Sequence, residues 1–218
     1  MKRMVSLVAA LLFALPVISS AQDTVRIQST GGTDQRFRIA VPAFYADANA
    51  SAYARTLASV LAADLEFTGL VALVPESQYP RGYPGAPADP SLIAFEAWRE
   101  TPAEFLVYGS VAIEGDSIVT ETRLFDVLVS QQVVGKRLKT QQQWARLLAH
   151  QFADESIRFL TGVAGVASSE ICFSGGQPGR KEIYIADYDG ASVTKVTDHG
   201  SISIRPKISP DGQKIAYM

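Results

Sequence analysis

The stretch Ile183-Tyr184-Ile185-Ala186-Asp187-Tyr188-Asp189-Gly190, followed further on by Pro206-Lys207-Ile208-Ser209-Pro210-Asp211-Gly212 and Lys214-Ile215-Ala216-Tyr217, decides the fold. Residues 183–187 read as a strand, 188–190 as a turn, 193–197 as a second strand, and 206–212 as a third strand entering a tight turn. This is the punctuation of one β-propeller repeat. Closed propellers need about 4 to 8 blades, and stacked repeats need at least ~3 units to bury their faces. The expectation is therefore that the chain is the front part of a longer protein.

The rest of the sequence frames that repeat. Of 218 residues, 47% are hydrophobic and 19% charged, which excludes a collagen-like or wholly disordered chain. The formal net charge of -2, about -4 without Lys2 and Arg3, argues against a nucleic-acid partner, which would call for a clustered basic surface. Residues 1–21 read as a signal peptide: Lys2 and Arg3 form its charged start, residues 5–18 its apolar run, and Ser19-Ser20-Ala21 its small-residue end. Cleavage is expected between Ala21 and Gln22, giving a secreted mature chain. The apolar run is shorter than the ~20 residues of a spanning helix, so no membrane span is expected after cleavage. One cysteine excludes an internal disulfide, and Cys172 is expected as a small buried apolar residue.

Residues 22–34 read as a flexible arm whose alternating patch, Val25-Arg26-Ile27-Gln28, is suited to adding as an edge strand to a partner. Residues 35–162 read as an α/β domain, a mixed sheet with about three helices. A strand at 37–41 stops at Pro42. A helix over 51–68 carries Tyr53, Leu57, Val60, Leu61 and Leu65 at helical spacing and ends at Gly69, with a return strand at 70–74. A proline-rich loop reaches Asp89-Pro90, which opens a short helix burying Leu92, Ile93, Phe95 and Trp98. Strands at 105–113, 117–127 and 131–139 form an antiparallel meander. Thr140 to Gln143 has capping-box spacing, ahead of a helix presenting Trp144, Leu147, Leu148, Phe152 and Phe159 on one side. Residues 163–169 read as a linker, and 170–218 as the first, incomplete part of an all-β propeller, with unpaired edges that make it a candidate for disorder or edge-to-edge association.

No catalytic constellation emerges. The nucleophile-elbow pattern is absent, and of the two histidines His150 is expected as a surface or half-buried helix residue and His199 as a turn residue. Gly31-Gly32 and Gly175-Gly176 lack the strand-to-helix setting of a phosphate loop. Asp187-Tyr188-Asp189-Gly190 opens like a calcium loop, but Val196 stands where the closing acid belongs, so a hairpin turn is expected. No catalytic, cofactor-binding or metal-binding residue is assigned.

The order of these features resembles the TolB family, periplasmic propeller proteins of the Tol-Pal cell-envelope system. The likeness rests on the signal peptide, the Arg26-Ile27 arm, Ile39-Ala40-Val41-Pro42-Ala43-Phe44, Val107-Tyr108-Gly109, the Trp144 helix, and the two turns Asp187-Tyr188-Asp189-Gly190 and Ser209-Pro210-Asp211-Gly212. Ile208 departs from the aromatic residue usual before that last turn. The resemblance implies a non-enzymatic adaptor without a cofactor. Its arm, here Val25, Arg26, Ile27 and Gln28, would engage a TolA-like inner-membrane protein, and its propeller a Pal-like lipoprotein, for outer-membrane integrity and constriction at division. Ser-Pro-Asp-Gly turns also occur in propeller peptidases, so the alternative is the front of a secreted peptidase with a Gly-x-Ser-x-Gly elbow downstream. A carbohydrate-binding propeller module is a third reading.

Overall fold

β1 (Phe37–Ala40) is the hinge of the architecture, because two strands add to it in parallel, one on each side. The chain leaves β1 through β2 (Tyr45–Ala46) and α1 (Ser51–Phe67) and returns as β3 (Val71–Leu73) beside β1, a strand-helix-strand crossover. The computed structural model describes residues 36–218; the Ala21/Gln22 cleavage point and the patch Val25, Arg26, Ile27 and Gln28 lie outside the described residues.

After α2 (Phe95–Arg99) the expected meander follows as β4 (Phe105–Glu114), β5 (Ser117–Asp126) and β6 (Gln131–Gln141), and α3 (Ala145–Thr161) closes this part. The sheet order is β3-β1-β4-β5-β6, with β2 paired to β4. Alternation along the strands divides the core between two faces. Ile39 and Val107 join Leu57, Leu61, Leu65 and Phe152 beneath α1 and α3, whereas their neighbours Ala40 and Leu106 join Trp98 beneath α2. Tyr79 and Tyr83 from the proline-rich loop pack edge-on against Trp98 at 5.0 and 5.1 Å. α1 ends as expected: the Thr68 hydroxyl donates to the Leu65 carbonyl, and Gly69 takes a left-handed φ of 71° that a side chain would disfavour.

Three local expectations need correction. Asp89 does accept the Ser91 N–H at 2.8 Å, but it opens a 3-10 turn (Pro90–Leu92) rather than a helix, and Leu92 is left exposed. Thr140 makes no capping box, since β6 runs through it and pairs it with Ile118; the sheet ladder satisfies the backbone that a cap would have served. Trp144, Leu147 and Phe159 are exposed, because the buried stripe of α3 runs through Leu148, Ala149, Phe152, Ala153, Ile157 and Leu160.

Residues 163–169, expected as a linker, are tied to α3: the Asp154 carboxylate accepts the N–H groups of Ala167 and Ser168 at 2.7 and 3.0 Å. β7 (Glu170–Gln177), β8 (Arg180–Asp187) and β9 (Thr194–Lys195) then form an antiparallel sheet, and β10 (Lys207–Ile208) pairs with β11 (Ile215–Ala216). Neither sheet closes on itself. The tail is nonetheless folded, against the expectation of a candidate for disorder, because β8 buries Ile183 and Ala186. Cys172 is half-buried rather than buried, since β7 is the edge strand of its sheet.

A clasp on Glu182 helps hold this tail. Its carboxylate accepts the Thr197 hydroxyl and the Gly200 N–H (2.7 Å), while the Thr197 oxygen accepts the Ile183 N–H at 2.9 Å. The Thr197 hydrogen bond first, and the Gly200 and His199 N–H groups after it, hold the carboxyl down at about 2, against an ordinary value of 4.5. A depressed carboxylate stabilises the fold above its ordinary pKa, and that stability is lost as pH falls through the folded-state value. Acid titration followed by circular dichroism is therefore expected to show a loss of strand signal between about pH 4.5 and 2. Glu182→Gln should remove that part of the pH dependence; an identical acid profile would contradict it.

Candidate functional site

A buried polar cluster lies where α1, α3 and the end of β8 meet. It starts from Asp64, which stands between Leu61 and Leu65 on the inner face of α1 and is buried by the same packing that buries them. Facing it from α3 is His150, 2% exposed, whose Nδ1 lies 2.6 Å from Asp64 Oδ2. The carboxylate can only accept, so Nδ1 carries the proton and donates. That fixes the ring, and leaves Nε2 buried with no hydrogen-bond partner among the described residues. Burial alone would lower the imidazole pKa; the hydrogen bond and charge of Asp64, aided by Asp189, outweigh it and hold the ring above its ordinary value.

One helical turn before His150, Arg146 sits on the same face of α3. Its Nη2 is paired with Asp189 Oδ2, and its Nε stands 3.9 Å from Asp187 Oδ2. Those carboxylates are placed by the hairpin that sequence predicted. Asp187 ends β8, its carbonyl accepts the Gly190 N–H at 2.8 Å, and Asp189 Oδ1 accepts the Ala191 N–H at 3.0 Å. Gly190 takes φ 81° to close the turn. Tyr188, at the tip, packs edge-on against Phe67 with centroids 5.2 Å apart, so the hairpin is docked by an aromatic contact as well as by charge.

The structure thus brings together residues that sequence treated separately. His150 is a buried, paired residue, not the surface or half-buried one expected, because the inner stripe of α3 passes through it. Ligand atoms of His150, Asp187 and Asp189 lie within 4.8 Å of one another. Asp64 and Arg146 were not singled out; the available signals were a carboxylate inside an apolar helical stripe and the four-residue spacing of Arg146 and His150. His199 is bonded through Nε2 to the Tyr217 hydroxyl at 2.9 Å, away from this cluster in the last strands. Among the described residues, neither histidine side chain is hydrogen-bonded to a serine, threonine or cysteine side chain. No helix among the described residues is long and apolar enough to cross a membrane.

Comparison with known proteins gives the arrangement a family. A profile described as the TolB amino-terminal domain matches residues 25–133. The Tol-Pal system protein TolB of Cereibacter sphaeroides is 37% identical over 220 aligned residues, covering 97% of this chain and 48% of that protein. The same-named protein of Syntrophotalea carbinolica is 33% identical over 164 residues, covering 75% of this chain and 38% of its own length. The chain thus spans about half the length of the curated relatives it matches. Among solved structures, TolB from Acinetobacter baumannii superposes with a TM-score of 0.69 at 24% identity, over 84% of this chain and 44% of that one, which shows the shared fold.

Proposed function

The chain belongs to the TolB family, and from that membership we propose that it works as a non-enzymatic periplasmic adaptor of the Tol-Pal system, with residues 22–34 as its partner-binding arm, 35–162 as its α/β domain and 170–218 as the opening of its propeller. The observation that carries the reading is the family match from residue 25 to 133, which takes in Val25, Arg26, Ile27 and Gln28 together with the α/β domain. An alternating four-residue patch on a chain terminus is suited to lying along an exposed sheet edge, where main-chain hydrogen bonds give affinity and alternate side chains give selectivity. In this reading the arm engages a TolA-like inner-membrane protein. The propeller side meets a Pal-like lipoprotein.

Deleting residues 22–33 from the full-length protein is expected to abolish capture of TolA in a pull-down while capture of Pal persists. TolA capture that survives the deletion unchanged would remove the arm from this role. Charge reversal at Arg26 alone is expected to weaken capture less than deletion, because main-chain bonding carries most of the attachment.

A further inference from the structure

We propose that His150, Asp187 and Asp189 form a binding site for a divalent first-row transition ion of the zinc class, a metal staple between α3 and the hairpin that ends β8. The inference stands apart from the adaptor reading and would survive its failure.

Two independent observations converge on it. The first is the donor set: one imidazole and two carboxylates from elements 37 and 39 residues apart present ligand atoms within 4.8 Å of one another. Around a tetrahedral zinc at about 2.0–2.2 Å, donors stand roughly 3.3–3.6 Å apart, so the three need to close by at most roughly 1.5 Å. Asp187, at the end of β8, and Asp189, on the turn, are partly exposed, and side-chain rotation there supplies that movement. The second observation is the orphaned His150 Nε2. It is buried, it is the ring nitrogen that Asp64 leaves free, and no hydrogen-bond partner among the described residues satisfies it. A buried polar atom without a partner is destabilising, and coordination to a cation would satisfy it.

The surroundings match what such a site requires. Metal-bound histidines characteristically donate their other ring N–H to a carboxylate, which fixes the tautomer and raises ligand basicity. Asp64 already does this at 2.6 Å. One nitrogen with two carboxylates suits zinc and its neighbours in the first row; calcium and magnesium prefer all-oxygen shells of higher number. The fourth position would fall to water.

Arg146 is the competitor. Its guanidinium pairs with Asp189 and lies near Asp187, supplying the positive charge that the carboxylates otherwise lack. Its side chain is one-third exposed, so it can turn outward when an ion arrives. Arg146 thus makes the two occupants exclusive: a guanidinium or a metal between the same two carboxylates.

The test is a titration of the full-length protein with Co²⁺ as an optical probe at fixed pH, followed by displacement with Zn²⁺. One equivalent of Co²⁺ should produce a visible d–d band that Zn²⁺ removes. Asp189→Asn, whose amide oxygen can still accept the Ala191 N–H, should abolish the band with unchanged circular dichroism. Asp64→Asn should weaken binding about 10–100-fold by freeing the ring. Arg146→Ala should tighten it, by removing the competing cation. No band in the unaltered protein, a band that persists in Asp189→Asn, or weaker binding in Arg146→Ala would each overturn the site.

Discussion

Gly109→Val is expected to destabilise the chain by about 3–5 kcal/mol, the cost of expelling a buried phenylalanine from a core. Gly109 lies in β4, directly beneath the Phe44 ring: a Cβ added there would stand 2.4 Å from Phe44 Cδ1 and Cγ and 2.5 Å from Cδ2. No rotamer change at position 109 relieves a clash with its own Cβ, so Phe44 must move. Phe44 is 8% exposed and packed in the cluster beneath α1, and it leads into β2, which pairs with β4 at Ser110 and Val111. Moving the ring therefore disturbs both the core and the β2–β4 pairing. Chemical denaturation of Gly109→Val, Phe44→Ala and the double variant would measure the coupling. Since both substitutions vacate or contest one volume, the double variant should be destabilised by less than the sum of the singles. Strict additivity would show that Phe44 is not what Gly109 accommodates.

That pair also shows how far sequence reaches into this fold. Ile39 to Phe44 and Val107 to Gly109 carry part of the family resemblance, yet neither stretch says that Gly109 makes room for Phe44; that is a contact 65 residues apart. Elements set by local pattern were legible. The β4–β5–β6 meander follows from three long strand-like runs broken by short turns, α1 from its leucine spacing and terminal glycine, and the Asp187 to Gly190 hairpin from turn chemistry. Where two local signals competed, tertiary structure chose between them. Thr140 has the spacing of a cap but is used as a strand residue, because β5 offers a partner for it. Trp144 looks like a core residue but stays exposed, because β6 runs on to Gln141 and the helix that buries its stripe starts only at Ala145.

The polar cluster was the least legible part. Its parts come from α1, α3 and the β8 hairpin, with 86 residues between Asp64 and His150 and 43 between Arg146 and Asp189. Periodicity identifies which face of a helix goes inward, and it carried Asp64 and His150 inward with their neighbours. It does not say that two inward polar residues on different helices will meet. Turn chemistry explained Asp187 and Asp189 completely as hairpin residues, and so gave no reason to look for a histidine beside them. A second use of the same carboxylates becomes visible only when α3 is laid against the turn.

The Asp64–His150 pair yields the second large effect. Asp64→Leu is expected to cost about 3–5 kcal/mol, the range for breaking a buried ion pair by removing one partner. The pair is 3% and 2% exposed, so water cannot replace what is removed. His150 would lose the acceptor of its Nδ1 proton while its Nε2 remains unpartnered, leaving both ring nitrogens unsatisfied inside the α1–α3 packing. Removing both partners is a different experiment. Asp64→Leu with His150→Leu leaves no polar group to desolvate and fills the space with apolar volume, a replacement that is often neutral or stabilising at buried pairs. The double variant is therefore expected to recover most of the stability lost by the single one, although two polar groups are gone rather than one. Urea denaturation of the two single variants and the double gives the coupling directly. Recovery would mean that the pair is costly to break yet unnecessary for folding. A double variant as unstable as the sum of its singles would instead mean that the two residues are not coupled, each stabilising the α1–α3 packing independently of the other.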